Sequence, residues 1–66
     1  MNTFQLLYKG ENGQWVEVKS AQGRSMSDLP DFLAAYDAAL DALDAKEIRG
    51  MRVMRNGQLM EEDVRS

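Results

Sequence analysis

Asp37, Asp41 and Asp44 follow one another at intervals of four and three residues, a spacing that sets three carboxylates along one flank of an α-helix. Paired carboxylates can move protons, but acid–base catalysis needs a site that encloses a substrate. A convex helix in a chain of 66 residues offers none. Glu61, Glu62 and Asp63 form a second acidic group that could gather a hard cation, yet they lack the ligand spacing of a calcium loop. Arg49, Arg52 and Arg55 recur every third residue. Together with Trp15 they could meet nucleic acid through phosphate contacts and stacking; the plainer reading is a set of strand positions in solvent that balance nearby acids. The chain has no histidine and no cysteine, which removes the commonest general base, the thiolate nucleophile and the usual transition-metal ligands. No enzyme activity, metal or cofactor is expected.

The distribution of charge says more than its sum. Met1 to Ser27 holds three cations and two anions, and Lys46 to Ser66 holds five cations and four anions. Between them, Asp28 to Ala45 holds five aspartates and no cation. Asp28 and Asp31 fall where the positive end of a helix dipole favours them. Asp37, Asp41 and Asp44 gain nothing from it, and like charges one turn apart cost roughly 0.2–0.5 kcal/mol per pair. Aspartate is also a poorer helix former than glutamate. Two readings stand: an ordinary solvated face, or a surface that presents negative charge to a basic partner. Along the axis the three carboxylates are separated by roughly 6 and 4.5 Å, the same order as the roughly 3.4 Å between phosphates of one DNA strand. The net charge of −3 argues against direct nucleic-acid binding, which needs excess lysine and arginine.

The elements that must carry these groups form one domain over residues 1–66. Residues 3–9 and 14–20 read as strands around a glycine-containing turn. A three-residue loop, Glu11 to Gly13, is the register that puts Phe4, Leu6, Tyr8, Val16 and Val18 on one face. It sets Tyr8 opposite Val16 and Leu6 opposite Val18, with Gly13 left-handed in a bulge. Trp15 and Leu7 then fall on the other face, beside Glu17 and Lys19. A helix is expected over 28–46, capped by Ser27 or Asp28, with Pro30 in its first turn. Leu29, Phe32, Leu33, Tyr36, Leu40 and Leu43 form its apolar stripe, and Ala34, Ala38 and Ala45 lie roughly opposite. A third strand covers 48–55, Asn56-Gly57 makes a second turn, and 58–61 offers a short fourth strand. The fold class is α+β: a small antiparallel sheet, ββαβ or ββαββ, with one amphipathic helix packed on one face. Met1 to Lys9 lacks a basic region followed by a long apolar stretch, and no apolar run is long enough to span a bilayer. A cytoplasmic monomer or weak dimer is expected.

A short, cysteine-free, acidic ββαβ chain with an aspartate-edged helix resembles the small phage-encoded inhibitor proteins, in particular anti-CRISPR proteins of the DNA-mimic type. The resemblance covers size, element order and the segment Asp28 to Glu47; such inhibitors share no signature motif. It implies a protein partner with a basic DNA-binding surface, such as a CRISPR surveillance complex in a bacterial host, blocked through Asp31, Asp37, Asp41 and Asp44 with Asp28 and Glu47 at the margins. The modest net charge departs from the stronger acidity of most DNA mimics. A second likeness is to antitoxin-type ββα modules, through the turn Gly10 to Gly13 and the Leu29-Pro30-Asp31 element, and it implies a toxin or other regulatory partner protein.

Overall fold

The computed structural model describes Met1 to Arg65. Its order is β1 (Asn2–Lys9), β2 (Trp15–Gly23), a 3-10 turn (Met26–Asp28), α1 (Pro30–Asp44), β3 (Gly50–Arg55) and β4 (Gln58–Val64). The four strands form one antiparallel sheet in the order β2-β1-β3-β4. The two hairpins therefore join through β1 and β3, and β2 and β4 are its edges. The fourth strand is complete, running three residues beyond the expected 58–61, and β2 continues to Gly23.

The first hairpin closes as its sequence requires. The Gly13 N–H donates to the Gly10 carbonyl at 3.0 Å and the Gly10 N–H to the Gln14 carbonyl at 3.3 Å, leaving a three-residue loop. Gly13 takes φ of +80°, a region where a Cβ would clash. Tyr8 pairs with Val16, but Leu6 pairs with Lys19 rather than Val18. Val18 is the extra residue of a β-bulge, which alternation of apolar residues cannot announce. Lys19 is thereby carried to the side of Leu6, not to that of Trp15. Val16 and Val18 are also not core residues, at 57% and 45% exposed, because α1 does not cover that corner. A second bulge falls at Met60, between the pairs Val53–Glu61 and Met54–Leu59. Asn56 and Gly57, both with positive φ, make the two-residue turn before β4. The Asn56 side chain accepts from the Thr3 N–H at 2.9 Å, which ties that turn to β1.

Helix α1 begins later than expected, with Leu29 in the capping position and no side-chain cap. Neither Ser27 nor Asp28 caps it. The Ser25 hydroxyl instead meets the Ser27 hydroxyl at 2.8 Å and the Asp28 carboxylate at 3.3 Å, closing the 3-10 turn. Pro30 occupies the first helical position, where its missing N–H costs little. At the other end the Glu47 N–H reaches the Ala42 carbonyl at 2.9 Å and the Lys46 N–H the Leu43 carbonyl at 3.1 Å. This is a Schellman arrangement, and Lys46 fills its left-handed position at φ of 61°, where glycine is the usual residue.

The core is Phe4, Leu6, Met51 and Val53 from the sheet and Phe32, Ala39 and Leu43 from α1. The Phe4 and Phe32 rings meet tilted, 6.0 Å apart. The buried stripe of α1 is turned toward Ala39, the small residue that lets the helix backbone approach the sheet, so Leu33 and Leu40 are only half-buried at its margin.

Candidate protein-binding surface

Helix α1 packs over β1, β2 and β3, leaving β4 as an overhanging edge with every residue exposed except Asp63, which is half-buried. Pairing fixes the directions of its side chains. Glu61 lies opposite Val53 and Asp63 opposite Met51, both core positions, so these two carboxylates point to the helix side of the sheet. Glu62 lies opposite Arg52 on the other side.

Two bridges cross from α1 to the overhang. The Tyr36 hydroxyl donates to the Glu61 carboxylate. The Arg65 guanidinium donates to Asp44, and to Asp63 at 3.4 Å. The hydrogen bond to Glu61 is the main reason the Tyr36 hydroxyl is pushed up to about 12, with burial next and then the charges of Glu61, Asp37 and Asp63. Each of these disfavours a phenolate. Hydrogen bonds to Asp44 and Asp63 likewise push the Arg65 guanidinium upward.

Helix flank and edge strand thus form a step: Asp37, Asp44, Glu61 and Asp63 on its walls, with Leu33, Tyr36 and Leu40 half-buried between them. Of the expected acidic residues, Asp37 and Asp44 join this step and Asp41 stands exposed on the helix just outside it. Asp44 is not unpaired as the sequence suggested, because Arg65 holds it. Asp28 and Asp31 are exposed at the far end of α1, about 20 Å from Asp44 by helical rise. Glu47 lies past the helix, on the rim of an open cleft of ≈ 440 Å³ whose charged rim mixes Glu11, Asp44 and Glu47 with Lys46, Arg49 and Arg65. Glu61, Asp63 and Tyr36 were missed as members. Their one trace in the sequence is that Glu61 and Asp63 alternate, which matters only once β4 is known to extend past residue 61.

The open side of the sheet is built differently. Trp15 from β2 lies across β1 onto Gly50 of β3, where a Cβ would stand 3.0 Å from Trp15 Cη2, 3.2 Å from Val64 Cγ2 and 3.3 Å from Lys9 Cβ. The Arg52 guanidinium stacks 4.0 Å from the ring centroid and is held at 2.7 Å by Glu62. The Gln5 amide donates to Glu17 at 2.7 Å. Trp15 and Arg52 do come together, but Arg55 shares the side of Phe4 and Arg49 precedes β3. The three arginines form no single stripe, and Glu17 and Glu62 stand among the groups a phosphate would meet. Glu61, Glu62 and Asp63 serve Tyr36, Arg52 and Arg65 respectively, and among the described residues no three potential metal ligands converge. Among the described residues no helix is long and apolar enough to cross a membrane.

Compared with protein-family models, with curated proteins and with solved structures, the chain matches none.

Proposed function

We propose that this chain is a small non-enzymatic binding protein that sets its acidic α1–β4 side against a basic, nucleic-acid-gripping surface of a partner protein. The observation that carries this reading is the gathering of Asp37, Asp44, Glu61 and Asp63 on one side, beside Asp41, where Arg65 is the one cation among the described residues that forms ion pairs with them. Carboxylates held at spacings of a few ångströms on a rigid helix offer a cleft built for DNA backbone the charge pattern it selects. In the finer reading the protein is an inhibitor of the anti-CRISPR, DNA-mimic kind, acting in a bacterial cytoplasm by excluding target DNA from a surveillance complex. That reading rests on the resemblance in size, element order and aspartate-edged helix.

The test is competition. A CRISPR surveillance complex is mixed with its target duplex and increasing protein, at two salt concentrations. The protein should displace the duplex, less effectively at the higher salt because exposed charges are screened over about 8–10 Å. Asp37→Asn, Asp41→Asn and Asp44→Asn combined should weaken displacement at least tenfold while the fold is retained. A triple variant that displaces DNA as well as the wild type sinks the proposal.

A further inference from the structure

We infer that the free edge of β4, over Glu61 to Val64, is a strand-pairing site that takes a basic extended segment of a partner protein as a fifth strand of the sheet. The inference rests on the acidic-side reading above and specifies how the partner is held.

Three features of β4 lead there. It is an edge, so one side of its backbone presents N–H and C=O groups that no neighbouring strand uses, a template on which an extended peptide can pair. Past the bulge at Met60, Glu61 to Val64 pairs regularly with Val53 to Gly50, so that edge keeps the spacing a new strand needs. Leu59, Met60 and Val64 flank it at 53%, 47% and 49% exposed, apolar surface that a docked strand would cover.

Charge decides which strand. Three consecutive carboxylates along the edge repel a second copy in the antiparallel alignments centred on Glu61 to Asp63, since a carboxylate then faces a carboxylate. A segment that alternates basic and apolar residues meets the opposite situation. Its basic side chains, all on one side in an alternating strand, reach Glu61 and Asp63 and the Asp37 wall of the step on the helix side, while Glu62 on the other side stays with Arg52. The other edge, β2, offers no such selection: its bulge falls at Val18, mid-strand, between Glu17 on one side of the sheet and Lys19 on the other.

The test uses the wild-type protein, isotopically labelled, and two synthetic decapeptides alternating lysine and valine. One carries ordinary amides; the other has every backbone amide N-methylated, so that side-chain charge is unchanged but donors to the edge are lost from both sides of the peptide. Backbone amide shifts on titration should centre on Glu61 to Val64, and the methylated peptide should bind at least tenfold more weakly. Equal binding by both peptides overturns strand pairing and leaves the acidic-side reading standing. Shifts centred on β2, or no binding by either peptide, also overturn it. The same titration on the Asp37→Asn, Asp41→Asn, Asp44→Asn variant separates the two ideas. Retained preference for the unmethylated peptide there supports the edge even if DNA displacement fails.

Discussion

On the open side of the sheet each charge is used at home; on the helix-and-edge side it is not. Arg52 lies between Trp15 and Glu62, and Glu17 takes the Gln5 amide. Across the step, Asp37 and Asp41 have no cation within reach among the described residues, and Arg65 is shared between Asp44 and Asp63. Both regions hold an aromatic ring beside a glutamate. Arg52 settles the one at Trp15, whereas Tyr36 can offer Glu61 only a neutral hydroxyl. A group satisfied within the fold needs no partner to explain it. Repulsion left standing within a domain this small does ask for one, and that contrast is why the acidic side and not the tryptophan face is the proposed contact.

The largest change should come from disturbing the satisfied region. Gly50→Ala places a methyl 3.0 Å from Trp15 Cη2, and the ring cannot tilt away without leaving the Arg52–Glu62 pair. Overpacking of this kind costs about 1–3 kcal/mol, read from urea denaturation; an unchanged midpoint would mean that Trp15 is not seated on Gly50. A smaller effect tests the neutral bond in the step. The Tyr36 hydroxyl titrates near 10 in an unfolded chain and at about 12 here. A raised value means that its stabilisation is whole below pH 10 and disappears as pH climbs through 12. Tyr36→Phe should therefore be less stable than wild type by about 0.5–1.5 kcal/mol at pH 8, and that gap should close by pH 12. A gap that stays constant across the range contradicts the bond to Glu61. The smallest effect sharpens the contrast itself. Asp37→Asn with Asp41→Asn removes one like-charge pair and should raise stability by about 0.2–0.5 kcal/mol. Asp44→Asn should not, because it breaks the bridge to Arg65. If all three aspartates behave alike in thermal melts, the step holds no distinct set of unpaired charges.

Much of this arrangement was legible because several local preferences agreed. The positive φ at Gly13, the Asn56-Gly57 turn and the apolar stripe from Leu29 to Leu43 each had one inexpensive conformation, and the hairpins, helix and fold class followed. What escaped depended on tertiary context. The bulges at Val18 and Met60 change the residue count across a pair without disturbing the alternation on either side. Ala39 is buried because the helix lies close to the sheet there, and alanine carries no hydrophobic signature strong enough to show it. Glu61-Glu62-Asp63 reads as a polar tail until β3 supplies a partner, so the overhang, and with it half of the step, could not be seen. Asp44 looked unpaired because its cation stands 21 residues further along the chain.

Gly50 also has a consequence for observing the protein. Trp15 arrives there from β2, Lys9 from β1 and Val64 from β4, so all four strands converge on the space of one absent side chain. The chain has a single tryptophan, and its indole sits at that junction. Its emission is a built-in reporter of sheet assembly rather than of the first hairpin alone, because removing any one strand takes a wall from the indole's surroundings. The docking of an added strand at β4 would be felt through Val64, whose methyl shares that space, without attaching any label to the acidic side.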